Sequence, residues 1–228
     1  MAPSLHTIAK RNVAPSDPGR DCGLCPRLKQ FRERYRISDP DWHNAPVPTW
    51  VSDKGDSSVR FLVVGLAPGL RGANRTGRPF TGDYAGDLLY ATLVKFGMAR
   101  GRYGADPADG LFLNAMAITN SVRCVPPENK PVGAEINSCR PFLSATLDRF
   151  ENLEAILTLG KIAHDSTLRM LGARVADAPF SHGGQHEVGK YRLFSSYHCS
   201  RYNTNTGRLT PEMFENVFRE IAAFLSQK

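Results

Sequence analysis

The sequence predicts an α/β domain in which a mostly parallel sheet is covered by helices on both faces. Four short runs of apolar and β-branched residues alternate with helical patterns between residues 60 and 225. Several of these runs are almost continuously apolar, which is typical of strands covered on both faces. The length of 228 residues fits one domain with a short appendage. We therefore expect a loose N-terminal arm over residues 1–20 and one three-layer domain over residues 21–228.

The strand pattern occurs in residues 60–66, 115–122, 155–159 and 192–197. Helical patterns occupy residues 85–96, 133–150, 161–171 and 211–225. Thr210 followed by Pro211 is typical of a helix start. Earlier in the chain, the basic segment 22–36 is helical in its second half, and residues 38–55 predict irregular structure. Because ligands of parallel sheets bind at the carboxyl ends of the strands, the loops after Leu66, Asn120 and His198 are candidates for a site.

The charge balance is basic. Lys and Arg exceed Asp and Glu by 29 − 22 = 7, and the pI is about 9.3. Such a balance fits a polyanionic partner such as nucleic acid. No stretch approaches 18 consecutive apolar residues, which argues against a membrane span. Residues 1–18 contain no apolar run typical of a signal peptide, so we expect a cytoplasmic protein.

The sequence contains five cysteines, four of which are candidate metal ligands. Cys22 and Cys25 are spaced as C-x2-C, and Cys124 and Cys139 follow about a hundred residues later. Four thiolates of this kind are able to bind zinc or an iron–sulfur cluster, and the spacing does not separate the two. The alternative is that Cys124 and Cys139 are small buried apolar residues. We expect no function for Cys199.

The loop after the first predicted strand has an unusual composition. Residues 65–83 contain five glycines, two prolines and three arginines, and they lead into a helix that begins near Asp83. Glycine lets a ligand approach the backbone closely, and the amides of a helix N-terminus attract anions. This composition is typical of a loop that binds phosphate or a base, although it matches neither the Walker A nor the G-x-G-x-x-G pattern. The alternative is a flexible surface loop with solvated arginines.

Three motifs resemble those of type 5 uracil-DNA glycosylases of the uracil-DNA glycosylase superfamily. They are GLAPG continuing to GANRTGRPFTGD, VRCVPPENKP, and YHCSRYNTNTGRLTP. The resemblance covers nearly the whole chain from Cys22 onward. It implies a four-stranded parallel sheet and a 4Fe–4S cluster. The cluster ligands of the family match Cys22, Cys25, Cys124 and Cys139, and this match, not the spacing, favours iron–sulfur over zinc.

The activity that the resemblance implies is monofunctional base excision in DNA repair. Such an enzyme flips uracil, and other deaminated bases such as hypoxanthine, out of DNA and hydrolyses the N-glycosidic bond, which leaves an abasic site. We expect a monomer that associates with the nucleoid through DNA. The alternative is an iron–sulfur protein that binds DNA damage without catalysis.

Asp83 and His198 are the principal catalytic candidates. The bond breaks toward an oxocarbenium-like sugar and a departing base anion, so the reaction needs a negative charge near the sugar and donors near the base. The family match assigns importance to Asp83, although an Asp at this place is often only a helix cap. His198 ends the last strand, where it is able to donate to the base O2. In better-known families of the superfamily, a water-activating Asp or Asn occupies the position of Ala67.

Ala67, Phe80 and Asn120 are the expected base-pocket residues. Phe80 offers a stacking platform, or it anchors the loop in the core. Asn120 stands where a related family reads the uracil edge, whereas Asn129 matches a polar active-site position of the type 5 family or simply forms a turn. We count Asn129 among the catalytic candidates. The arginines expected to contact DNA are Arg71, Arg75, Arg78, Arg201 and Arg208.

Overall fold

Four parallel strands form the centre of the sheet in this computed structural model, which describes residues 16–227. The strands are β1 (Trp50–Val51), β2 (Phe61–Gly65), β3 (Ala99–Arg100), β4 (Phe112–Leu113), β5 (Met116–Asn120), β6 (Ala155–Leu159), β7 (Gln185–Val188) and β8 (Tyr191–Ser196). The sheet has the order β1-β5-β2-β6-β8-β7, and β2, β5, β6 and β8 run parallel. A separate two-stranded sheet pairs β3 with β4.

The four predicted strands are confirmed as β2, β5, β6 and β8. Every residue of β2, β5 and β6 is buried, which explains their almost continuous apolar sequences. The antiparallel edge strands β1 and β7 were not predicted. β1 has only two residues, and β7 consists mainly of polar residues that are exposed or half-buried, so neither has a strong hydrophobic pattern.

Helices cover both faces of the sheet, as the sequence predicts. The helices are α1 (Pro26–Ser38), α2 (Ala73–Thr76), α3 (Tyr84–Lys95), α4 (Gly133–Asp148), α5 (Lys161–Met170), α6 (Arg201–Asn205) and α7 (Pro211–Ser226). On one face α3 and α7 pack over Phe61 and Val63, and on the other α4 and α5 pack over Leu62 and Val64. This alternation follows from the two-residue period of a strand.

The strand register brings the expected site loops to one edge of the sheet. Gly65, the last residue of β2, is the partner of Asn120, the last residue of β5. Leu159 at the end of β6 is likewise the partner of Ser196 at the end of β8. The loops that follow β2, β5 and β8 therefore leave from the same edge, where ligands of parallel sheets bind.

The expected N-terminal arm is described only in part, because residues 1–15 lie outside the described range. The last residues of the arm pack on the domain. Asp17 Oδ1 accepts hydrogen bonds from the Thr49 amide at 2.9 Å and from Arg123 Nη1 at 2.7 Å. The carbonyl oxygen of Ser16 accepts a hydrogen bond from Thr146 Oγ1 at 3.0 Å. The chain is therefore already attached to the domain before residue 20.

Between residues 16 and 227, the structure contains no helix that is both long enough and apolar enough to span a bilayer.

Candidate active site

A cavity of about 360 Å³ opens at the carboxyl ends of β2, β5 and β8. Its wall includes seven of the predicted site residues, although they come from four separate parts of the chain. The complete lining is Leu66, Ala67, Pro68, Gly69, Ala73, Phe80, Asp83, Tyr84, Ala85, Asn120, Asn129, His198, Ser200 and Arg201. The cavity therefore lies between four parts of the chain. They are the loop of residues 65–83, called here the glycine-rich loop, the end of β5, the PPENKP turn of residues 126–131, and the loop after β8.

Asp83 directly precedes α3, and its carboxyl group lies against the glycine-rich loop. A side-chain carbon at Gly69 would lie 2.8 Å from Asp83 Oδ2, and one at Gly72 would overlap the carboxyl group. The side chain makes no helix-cap hydrogen bond, and Oδ1 is buried without a hydrogen-bond partner in the described chain. Burial raises the pKa of Asp83, while the first-turn amides of Gly86 and Ala85 oppose this rise. Asp83 is thus a carboxylate that the fold leaves unneutralised beside the cavity.

His198 follows β8 and lines the cavity. Its ring stacks with Phe80, with 6.0 Å between the ring centroids and 30° between the planes. Burial lowers the pKa of His198 to about 4, so the imidazole is neutral at pH 7. Its carbonyl oxygen accepts a hydrogen bond from Asn203 Nδ2 at 2.8 Å, which fixes the loop. The ring therefore offers a neutral N–H donor to a ligand in the cavity.

Gly65 lets Phe80 and Asn120 meet at the floor of the cavity. A side-chain carbon at Gly65 would lie 2.6 Å from Phe80 Cζ and would overlap Asn120 Oδ1. Phe80 has a positive φ of 51°, and the hydroxyl group of Tyr103 donates to its carbonyl oxygen at 3.4 Å. The ring is 7% exposed and belongs to the core that packs under α3 and α7. Phe80 is thus both a core anchor and part of the cavity wall.

The two asparagines occupy different depths. Asn120 is 3% exposed and lies in the wall, whereas Asn129 is exposed on a turn in which both it and Glu128 have positive φ. Ala67, which follows β2, also lines the cavity and presents only a methyl group. Asn120 is therefore in position to meet an inserted ring, and Asn129 stands at the rim.

Tyr84 and Ser200 line the cavity but were not predicted as site residues. The guanidinium carbon of Arg201 lies 5.3 Å from the centroid of the Tyr84 ring, so these two side chains form a cation–π pair beside the cavity. The position of Tyr84 directly after Asp83 is the signal that could have identified it.

Four of the five arginines expected to bind DNA are exposed, but Arg78 is not. Its side chain is 5% exposed and makes two hydrogen bonds to Asp109, at 2.9 and 2.6 Å. It also lies over the Trp50 ring at 4.7 Å. The expected phosphate contact of Arg78 is therefore wrong, because its charge is already neutralised inside the protein. The exposed arginines are Arg71, Arg75, Arg201 and Arg208.

Replacement of Arg78 by Met should lower the free energy of unfolding by about 3 kcal/mol, because Asp109 would remain as a buried charge without its partner. Arg71→Met is the matched control and should change stability by less than about 0.5 kcal/mol. Arg71→Met should instead reduce the slope of log K for DNA against log salt by about one. Urea unfolding and salt-dependent DNA binding measure both effects. A reduced salt slope for Arg78→Met at unchanged stability would restore a DNA-binding role for this residue.

The four cysteines singled out in the sequence line one pocket at the start of α1. All four are free thiols. Burial raises the pKa of Cys124 to about 12 and that of Cys139 to about 11. In residues 16–227, no three Cys, His, Asp or Glu side chains form a ready site for a metal ion. Cys199 is buried elsewhere, where its thiol donates to the carbonyl oxygen of Ala85 at 3.4 Å.

Sequence comparisons with known proteins match most of this chain. The family described as "Uracil DNA glycosylase superfamily" matches residues 52–222. A type-5 uracil-DNA glycosylase of Mycobacterium bovis is 43% identical over 208 residues, which are 87% of this chain and 76% of that protein. A type-5 uracil-DNA glycosylase of Thermus thermophilus is 41% identical over 206 residues, which cover 87% and 91% of the two chains. Another from Pyrobaculum aerophilum is 37% identical over 207 residues, which cover 89% and 88%.

Proposed function

This chain belongs to the uracil-DNA glycosylase superfamily, and on that premise we propose that it excises uracil from DNA as a repair enzyme by hydrolysing the N-glycosidic bond. One observation carries the assignment to this site. A carboxylate, a neutral imidazole, a carboxamide and an aromatic ring line the same cavity, namely Asp83, His198, Asn120 and Phe80. These are the groups needed to stabilise a cationic sugar, to bind a departing base anion and to hold a flipped base.

Asp83 acts on the sugar side of the bond. Positive charge develops on the ring as the bond breaks, and an ionised carboxylate in a poorly solvated site stabilises that charge strongly. The pKa of Asp83 is raised by burial, so its negative charge costs free energy in the empty site that the cationic sugar would offset. Ala67 supplies no group that activates water, so Asp83 is also the group that orients the attacking water.

The other three groups act on the base. His198 donates its neutral N–H to the base O2, where negative charge builds as the bond breaks. Phe80 stacks on the flipped base, and Asn120 offers both a donor and an acceptor to its edge. Asn129 lines the cavity at its rim, where its amide is able to contact the target nucleotide.

The proposed substrate range extends to other deaminated bases, including hypoxanthine. An aromatic platform accepts any base, because every base has a π-face. An amide group is able to present its donor and its acceptor to different base edges. These properties support a pocket that accepts several kinds of flipped, deaminated base.

The absence of strand cleavage is part of the proposal. A lyase needs an amine that forms a Schiff base with the sugar, and no lysine lines the described cavity wall. We expect no covalent DNA adduct when the reaction is treated with borohydride.

A 4Fe–4S cluster bound by Cys22, Cys25, Cys124 and Cys139 completes the proposed enzyme. The shared pocket of the four free thiols supports this ligand set. The resemblance to type 5 uracil-DNA glycosylases, and not the arrangement of the thiols, favours a four-iron cluster over a zinc ion at this ligand set. When bound, the cluster supplies a cross-link between the chain before α1 and the segment from Cys124 to α4.

The decisive experiment measures base release from end-labelled duplexes that carry U·G, U·A, hypoxanthine·T or no lesion. We expect cleavage at deaminated bases only after alkali treatment, and we expect a monomer by light scattering. Iron and sulfide analysis of the same preparation tests the cluster. Tight binding without base release on every substrate, from protein with its full iron content, would replace this proposal with a catalytically silent damage-binding protein.

The pH dependence of base release follows from the two titrating groups. Asp83 must be ionised, so the rate should rise with pH through an inflection above the ordinary Asp value of 3.8. His198, with a pKa of about 4, should remain neutral from pH 6 to 8. The rate should therefore show no inflection near 6.5, the ordinary value for histidine. A single-turnover pH profile measures this. An inflection near 6.5 that disappears in a His198 variant contradicts the neutral imidazole.

A further inference from the structure

Arg32 is a buried cation that points into the cysteine pocket. It lies in the middle of α1, and its side chain is among the largest that are fully buried, at 1% exposure. Nη1 donates to the sulfur of Cys124 at 3.0 Å, and Nη2 donates to the carbonyl oxygen of Cys22 at 2.9 Å. Its Nε is buried and has no hydrogen-bond partner in the described chain. The guanidinium group therefore faces two of the four expected cluster ligands.

Within residues 16–227 no carboxylate forms an ion pair with Arg32, although Asp21 lies near enough to interact with it electrostatically. Most other buried or half-buried arginines of the domain do form ion pairs. The carboxylates on the two sides of the pocket are already paired, Asp21 with Arg36 at 2.6 Å and Glu135 with Arg27 at 2.8 Å. Residues 1–15 contain no Asp or Glu that could serve as a partner.

The contrast with Arg123 shows what Arg32 lacks. Arg123 is equally buried, and it donates to the carboxylate of Asp17 and to the hydroxyl groups of Thr49 and Thr146. A buried charge without a counter-charge is strongly unfavourable. A neutral thiol and a carbonyl oxygen do not compensate a guanidinium, whereas thiolates bound to a cluster are anionic.

We propose that Arg32 is the buried counter-charge of the iron–sulfur cluster, and that it retains the cluster by donating to the thiolate of Cys124. This inference rests on the proposed cluster. Hydrogen bonds to the ligand sulfurs and local charge both set the reduction potential of such a cluster. Arg32 therefore raises that potential, because a nearby positive charge favours the reduced, more negative state. It also slows loss of the cluster, because it lowers the free energy of the anionic, loaded pocket.

The test compares Arg32→Met, Arg32→Lys and Arg34→Met as anaerobically purified full-length proteins. Arg34 lies on the same helix but is exposed, and its guanidinium carbon lies 5.1 Å from the centroid of the Phe31 ring. The readouts are iron per chain, the rate at which visible absorption bleaches under a chelator, and the midpoint potential by spectroelectrochemistry. Circular dichroism shows whether each variant is folded. The midpoint potential of each variant is measured on the molecules that retain a cluster.

Arg32→Met should lose its cluster at least tenfold faster than the wild type and should show a lower midpoint potential. Arg32→Lys keeps the charge without the forked donor and should fall between the two, and Arg34→Met should match the wild type. Equal bleaching rates and equal potentials for Arg32→Met and the wild type overturn the proposal. Wild-type protein that excises uracil but contains zinc or no metal overturns the cluster and the role of Arg32 together, while the glycosylase assignment stands.

Discussion

Replacement of Asp83 by Asn should lower the single-turnover rate of uracil release by about 10²–10⁴-fold, a rise in the activation barrier of about 2.7–5.4 kcal/mol. The amide keeps the size of the side chain between Gly69 and Gly72 but removes the negative charge that faces the sugar. The loss should appear in the rate of the chemical step and not in DNA affinity, because the charge acts on the transition state.

The same substitution should not destabilise the protein. Burial raises the folded-state pKa of Asp83, so its ionisation contributes unfavourably to folding as the pH rises above the ordinary Asp value of 3.8. Asp83→Asn should therefore unfold at an equal or higher temperature than the wild type. Asp41→Asn is the control, because Asp41 is exposed and lies outside the cavity. A rate within threefold of the wild type for Asp83→Asn would show that the carboxylate serves only the structure.

The central strands were predictable because a strand that is buried on both faces consists mainly of consecutive apolar residues. Residues 155–159 were predicted with the observed bounds, and the registers of β2 and β5 then brought Gly65 and Asn120 together. Most of the cavity could also be anticipated, because the unusual loops follow the carboxyl ends of neighbouring parallel strands. Asp83 and His198, separated by 115 residues, thus appear as one site once the strand order is known.

The partners of buried charges could not be predicted. The sequence presents Arg71, Arg75 and Arg78 as equivalent members of one loop, but only Arg78 meets a carboxylate, Asp109, in a segment 31 residues away. Arg32 likewise resembles the exposed basic residues around it in RLKQFRERYR. Its burial depends on the face of α1 that packs toward the cysteine pocket, and that face follows from the tertiary structure. The sequence alone therefore does not show which charged side chains are buried.

Replacement of His198 by Ala should lower the rate of uracil release by about 10²–10³-fold, which is the usual cost of removing one preorganised donor from a developing anion. The neutral imidazole needs no proton transfer to act in this way, because its N–H is a donor throughout the neutral pH range. The change also removes the ring that stacks on Phe80 at 6.0 Å, so the KM for substrate DNA should rise at the same time.

His198→Gln separates these two effects. Its amide N–H is still able to donate to the base, but it does not stack as a ring, so its rate should lie between those of the wild type and His198→Ala. His186→Ala is the control, because His186 lies on β7 at the sheet edge, outside the cavity, and contacts the carbonyl oxygen of Pro179. Single-turnover rates on U·G duplexes measure all three variants. If His198→Gln and His198→Ala are equally slow while their DNA affinities match the wild type, a donor at this position is insufficient. The imidazole would then act through its geometry in the stack with Phe80.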